Sequence, residues 1–200
     1  MKYCEYTYLV KSDLYRYAHD FTLSSFIHHI FLSPGFKYSF WIRTCAFLKS
    51  NIFFHFIIFP FAWCFLRHYE YKYGISIPYH TQIGSGFYIG HFGGIVVNGH
   101  AVIGRNCNIS HQTTLGVANR GSRKGYPIIG DNVYIGPGAK VIGKVQVGNN
   151  VAIGANCVVT KDVPENSVIV GVPGKVISLK GSSDYVNSTD YDELIPRKRN

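Results

Sequence analysis

The sequence predicts a mainly β fold, a parallel solenoid of six-residue repeats preceded by an α-helical cap. Three observations predict it. From Ile77 to Val163 an aliphatic residue recurs every six positions, usually followed by glycine: Ile83-Gly84, Ile89-Gly90, Ile103-Gly104, Ile129-Gly130, Ile135-Gly136, Val147-Gly148 and Ile153-Gly154. Small or β-branched residues stand four places after the aliphatic, at Cys107, Thr113, Val133, Ala139, Val151 and Cys157. Before Tyr73 the period is absent, and long aromatic and aliphatic stretches take its place.

A six-residue period is too long for a strand face and does not fit a helix. It describes short β segments wound into a prism, each face taking one hexapeptide and three making a coil. The aliphatics point inward and stack between coils, and about four coils give a continuous core. The glycine after each aliphatic is expected to accept backbone angles that a Cβ would oppose. This divides the chain into a helical cap over 1–74, a solenoid over 75–178 and a tail over 179–200. Within the cap, segments near 12–32, 38–49 and 52–70 read as helices, with Pro34-Gly35 as a turn and the last helix kinked or broken at Pro60. The tail from Gly181 is rich in Ser, Asp and Tyr and is expected to be loosely ordered.

Two interruptions of the period bear on function. Ile95 to Ile103 is eight residues, which predicts a bulge around Asn98-Gly99-His100; Val117 to Pro127 leaves the prism as a longer loop. Loops projecting from a rigid solenoid are where binding residues concentrate.

Composition narrows the function classes. Two hundred residues, 46% hydrophobic, suffice for a compact domain and a smaller cap without disulfides or metal. The five cysteines lack any CxxC pair and read as reduced core residues of a cytoplasmic protein. The N-terminus shows no secretory signal pattern. Ile52 to Leu66 is apolar but too short to span a membrane and contains His55 and Pro60, so it reads as a buried or interfacial helix. Its Phe53, Phe54, Phe56, Phe59, Phe61 and Trp63 serve either packing or contact with the inner face of the cell membrane. The formal charge of +9 is spread along the chain, which suits a polyanionic small ligand or an anionic surface. No zinc-finger spacing or RNA-binding signature supports nucleic-acid binding.

The repeat, together with Gly90-His91-Phe92-Gly93-Gly94-Ile95-Val96-Val97, Thr114-Leu115-Gly116 and Gly171-Val172-Pro173, resembles the hexapeptide acyltransferases over roughly Tyr73 to Ile177. Within them the chain looks like the serine acetyltransferases, and most like members associated with surface-polysaccharide synthesis. The resemblance implies left-handed coiling, a homotrimer and acetyl-CoA as acyl donor.

Acetyl transfer to a hydroxyl needs a base that is largely neutral near pH 7, and histidine fits. His91, the third residue of its hexapeptide, matches the catalytic histidine of the resembled motif. His111 holds the same third position and is expected one coil away, at one site with His91; it would orient His91, contact the acceptor or disfavour protonation of its neighbour. For coenzyme A the resemblance marks Gly116, Pro137 and Ala155, and Lys175 is a candidate for phosphate, as are Arg120, Arg123 and Lys124 on the loop. Three departures from serine acetyltransferases argue against a small amino acid as acceptor: Gly90 replaces an acid before the histidine, Ser76 replaces the acid that pairs with it, and Gly125-Tyr126 replaces Arg-His on the loop. The expected acceptor is therefore a sugar hydroxyl on a capsule or O-antigen glycan, held by Phe92, Asn98, Tyr126, Arg123 and His111. Serine O-acetyltransfer is the first rival. A zinc enzyme using His91, His100 and His111 is the second, against which no clustered metal-ligand motif is present and no metal is expected. A non-catalytic scaffold is the third.

Overall fold

A computed structural model of the chain describes residues 1–51 and 55–195. Phe53 and Phe54, and the Arg197-Lys198-Arg199 end of the tail, lie outside the described residues.

Among the described residues the cap contains α1 (Tyr3–Ala18), α2 (Leu23–Leu32), α3 (Pro34–Ser50) and α4 (Phe59–Tyr73). The helix expected over 12–32 is two. His19 takes a left-handed conformation that closes α1, and the Thr22 hydroxyl accepts from the Ser25 N–H to start α2. Pro60 does not kink a helix; it occupies the first turn of α4, where a missing N–H costs nothing. Pro34 likewise opens α3.

Three parallel faces then form a prism. The first holds β1 (Ile75–Ser76), β4 (Ile95–Val97), β7 (Thr114–Gly116), β10 (Lys140–Ile142) and β13 (Val158–Val159). The second holds β2 (Gln82–Ile83), β5 (Val102–Ile103), β8 (Ile128–Ile129) and β11 (Gln146–Val147). The third holds β3 (Tyr88–Ile89), β6 (Asn108–Ile109), β9 (Tyr134–Ile135), β12 (Ala152–Ile153) and β14 (Val168–Val170), closed by the antiparallel β15 (Lys175–Ser178). Ile77, Ile89, Ile103, Leu115, Ile129, Ile135, Val141, Val147, Ile153 and Val159 stack in the buried interior.

The register corrects two readings of the repeat. Ile89 pairs with Ile109 and Val97 with Leu115, so the two extra residues lie between Ile89 and Val97, in the corner that carries His91. The turn at Asn98-Gly99-His100 has ordinary length. Crowding, not backbone angle, requires the glycines after most of the aliphatics, Gly90 excepted, where a Cβ would meet only the Tyr88 ring at 3.3 Å. A Cβ on Gly84 would lie 2.6 Å from Gly104, and one on Gly104 2.5 Å from the Gly130 carbonyl oxygen. Left-handed angles fall instead on the corner residues Asn106, Gln112, Asn132, Asn150, Asn156 and Asn166.

The top coil has no strand above it, and the cap supplies what a strand would. Asp13 accepts from the Phe87 N–H at 2.8 Å, Ser12 from the Gly86 N–H at 3.0 Å, and Tyr17 bonds both the N–H and the carbonyl of Ile89. Arg43 donates to the Ile83 and Gly84 carbonyls, each at 2.6 Å, and pairs with Asp13 at 3.0 Å in the buried interior. Losing either member would leave an uncompensated buried charge, at a cost of about 3–5 kcal/mol.

Over its described residues, 179–195, the tail is not loose. Ser182 donates to the Asn132 carbonyl, Tyr185 stacks on Tyr134 at 4.5 Å, and the short helix α5 (Tyr191–Leu194) buries Tyr191 against Ser85 and Asn106. Asp192 bonds Tyr8 and Arg105, which ties α5 to α1. Its polar composition hid this order because tyrosines and aspartates here serve as anchors.

Candidate active site

The corner between the third and first faces is a single column. Ile89, Ile109, Ile135 and Ile153 are in register, so the residues two places on, His91, His111, Pro137 and Ala155, stack one per coil. Backbone bonds tie the column together: Gln112 N–H to Gly93 O at 2.7 Å, Gly138 N–H to His111 O at 3.0 Å and Asn156 N–H to Pro137 O at 2.8 Å. The His91 and His111 rings lie 5.9 Å apart and nearly perpendicular, at 83°. His91 is exposed. His111 is half-buried, and its Nδ1 is enclosed without a hydrogen-bond partner among the described residues.

The extra residues set His91 apart from the corners below it. Gly93 and Gly94 take φ of 108° and 67°, which lets the chain swing wide and return to β4. Phe92, exposed in this turn, rests its ring 5.3 Å from that of Tyr73 at the end of α4. The same helix end brings Glu70, whose carboxylate accepts from Ser76 Oγ at 3.0 Å and pairs with Arg67. A position-by-position reading finds only a hydroxyl at 76; the carboxylate arrives from six residues earlier, on another element.

Apart from Lys175, which lies on the third face opposite Val170, the remaining candidates lie at the opposite ends of the first-face strands. Asn98 accepts from the His100 N–H at 3.0 Å, and the His100 ring lies tilted at 42° against Tyr126, 4.8 Å away. The 117–127 loop is closed by paired bonds between Ala118 and Gly125. Arg123 anchors that loop, donating to Asp162 at 2.7 Å and to the Lys144 carbonyl at 3.3 Å. Its hydrogen bond holds the Asp162 carboxyl below the usual range. Gly116 ends β7 at this corner, its carbonyl accepting from Gly143 at 3.0 Å, and Lys175 is exposed on β15. Within one chain, then, His91, His111, Phe92, Pro137 and Ala155 share one corner. Asn98, Tyr126, Arg123 and Gly116 share another, separated by a strand's length, on the order of 10 Å.

His100 therefore does not converge with His91 and His111, and among the described residues no three His, Cys, Asp or Glu side chains are grouped to hold a metal ion. Of the cysteines, Cys45, Cys107 and Cys157 are buried as read, while Cys4 and Cys64 are exposed on the cap. Burial pushes the Cys45 and Cys107 thiols up to about 12, so neither is a thiolate near neutral pH.

Fold and site together define a hexapeptide-repeat β-helix with a paired-histidine corner, and similarity to known proteins takes this further. The profile for bacterial transferase hexapeptide (six repeats) matches residues 126–161. Serine acetyltransferase of Synechococcus elongatus is 42% identical over 121 residues, covering 60% of this chain and 49% of that one. Serine acetyltransferase of Brucella abortus in complex with coenzyme A superposes with a TM-score of 0.72 at 30% identity, covering 87% of this chain and 68% of that one. Soybean serine acetyltransferase complexed with serine gives 0.69 at 29% identity, covering 84% and 68%. The chain belongs to the hexapeptide-repeat transferase family, and its solenoid is the left-handed β-helix. It spans about half the length of the curated relatives it matches. These relatives are serine acetyltransferases, which overturns the sugar-hydroxyl acceptor and the surface-polysaccharide branch expected from the sequence. The expectation rested on three local departures, at Gly90, Ser76 and Gly125-Tyr126, against similarity that extends over 121 residues.

Proposed function

We propose that this chain is an acetyl-CoA-dependent serine O-acetyltransferase acting in the cytoplasm. The observation that carries the reading is the corner column, in which two imidazoles 5.9 Å apart sit directly above Pro137 and Ala155. An extended pantetheine lying along that column would present its thioester to His91. His91 takes the proton of the serine hydroxyl as its oxygen attacks the thioester carbonyl. The C–O bond forms, the C–S bond breaks, and the proton passes to the departing thiolate. His111, one coil below and with an enclosed Nδ1, holds the His91 ring in place.

Serine is a zwitterion, and both charges need partners. Glu70 is the carboxylate nearest in the chain to the histidine corner that contacts a first-face residue, through Ser76. Arg120 and Lys124 on the 117–127 loop are exposed cations. In a homotrimer the loop corner of one copy, with Tyr126 and Gly116, would face the histidine corner of the next, which joins the two sets of residues that a single chain keeps apart. The test is coenzyme A release from acetyl-CoA with L-serine. Turnover that rises with serine and disappears in His91→Ala supports the reading; no release with serine, from a protein that binds coenzyme A, overturns it.

A further inference from the structure

The cap exposes apolar surface that neither the histidine corner nor the loop uses. On α2, Leu23, Ile27 and Phe31 recur at helical spacing and are exposed, with Phe31 at 71% and Leu32 beside it at 68%. None of the ten residues of α2 is buried. On and just before α4, Phe56, Ile57, Phe61 and Trp63 are exposed as well, whereas Phe59 packs against Tyr79 at 5.4 Å. The two helices are joined through α3 by a chain of ring contacts, Phe26 to Phe40, Phe40 to Trp41 and Trp41 to Phe65, at 5.6, 5.4 and 4.8 Å. Lys37 bridges them too, donating to the Phe31 carbonyl and lying 5.4 Å over the Tyr69 ring.

Charge identifies what covers this face. From Phe21 to Tyr69 the sequence contains no Asp or Glu, while Lys37, Arg43, Lys49 and Arg67 fall within it. Arg43 is committed to Asp13 inside the cap. Lys37 and Lys49 lie over aromatic rings with their ammonium groups at the surface, Lys49 at 5.3 Å from Phe59. The carboxylates at its borders are engaged, Asp20 by Thr22 and Ser25 at the start of α2 and Glu70 by Arg67 and Ser76 on α4, so a two-fold contact with a second copy would set Lys37 and Lys49 against like charges. An occupant that is apolar in depth and negative at its edge meets both requirements. No helix among the described residues is long and apolar enough to cross a membrane, so contact would be interfacial.

We propose that the α2–α4 face of the cap docks on an anionic phospholipid surface, with Leu23, Ile27, Phe31 and Phe61 entering the headgroup boundary and Lys37 and Lys49 contacting the headgroups. The experiment is co-sedimentation of the full chain with extruded vesicles of phosphatidylcholine alone or containing about 30% phosphatidylglycerol. Wild type is expected to partition at least about tenfold more strongly onto the anionic vesicles, with the preference falling as salt is raised. Ile27→Glu with Phe31→Glu should lose about tenfold or more in partitioning, and Lys37→Glu with Lys49→Glu should lose the preference for anionic lipid. Ile27, Phe31 and Lys49 are exposed and Lys37 is half-buried, and unchanged far-ultraviolet circular dichroism and coenzyme A release would show that the variants fold. Absence of wild-type binding to anionic vesicles overturns the proposal. So does a lipid-free sedimentation profile in which Ile27→Glu with Phe31→Glu dissociates a larger assembly, which would make the face a contact between copies.

Discussion

Two corners of the same prism use the same backbone differently. At the corner between the second and third faces, Asn106, Asn132, Asn150 and Asn166 repeat at φ of 54° to 58°, one per coil. Their amides form a ladder, Asn106 to Asn132 at 2.8 Å, Asn132 to Asn150 at 2.9 Å and Asn150 to Asn166 at 3.0 Å. Asparagine tolerates the left-handed turn, and its side chain satisfies the next coil. At the corner between the third and first faces the positions in register carry His91, His111, Pro137 and Ala155, which differ in kind from coil to coil, and the first turn is two residues longer. One corner holds the coils together by repetition; the other breaks the repetition where chemistry is placed.

The largest expected effect tests that division directly. His91→Ala should lower the rate of acetyl transfer by about a thousandfold, the scale of a lost general base, while its exposure keeps the stability change within about 0.5 kcal/mol. Steady-state kinetics and thermal unfolding on the same sample check it. Asn132→Ala should do the reverse. It deletes both ladder bonds at its coil and places a Cβ-bearing residue without a compensating amide at φ 56°, together about 2–3 kcal/mol. That predicts a melting temperature lower by roughly 5–10 °C with the rate nearly unchanged below the transition. Asn132→Gly, which relieves the backbone angle but not the lost bonds, should recover part of the loss. If Asn132→Ala instead slows catalysis at full stability, the corners do not divide structure from chemistry.

The solenoid was legible because its period is enforced by burial: each aliphatic must meet the one in the next coil, so spacing alone gave the core and predicted that His91 and His111 would be neighbours. Where an extra pair of residues leaves the prism is not enforced in the same way. Ile95 and Val97 are both aliphatic and both buried, and choosing Ile95 as the stacked residue moved the bulge to the wrong end of β4. Register with Leu115 decides it, and register is a pairing between coils that one chain position cannot show. Glu70 was illegible for a related reason. Its partner Ser76 is six residues away across a helix end, and an acid delivered from a different element leaves no mark at the position it serves. In the tail, polarity read as looseness because the acceptors of Tyr191 and Ser182 belong to turns far off in sequence.

A substitution within the widened turn should show an intermediate effect. Gly94→Ala sets a Cβ at φ 67°, 3.3 Å from Gln112, so the turn must shift by a few tenths of an ångström against the coil below. The left-handed angle costs about 1–2 kcal/mol, a melting temperature lower by roughly 2–8 °C. Because the shift falls between His91 and the strand that fixes it, the rate should drop as well, unlike in Asn132→Ala. A stability loss with no change in rate would mean that His91 is positioned by β3 alone.

The smallest effect concerns the thiols. Cys4 and Cys64 are exposed on the cap, and the buried Cys45 and Cys107 are held protonated with thiols at about 12. A maleimide should therefore label the native protein at Cys4 and Cys64, and all five cysteines only after unfolding, as peptide mass mapping would show. Neither labelled position lies in the histidine corner, so acetyl transfer should survive labelling. Inactivation by native-state labelling at Cys107 or Cys157 would mean that the coils open far enough to expose their interior. The asparagine ladder would then hold the prism less firmly than its unbroken run of amide bonds requires.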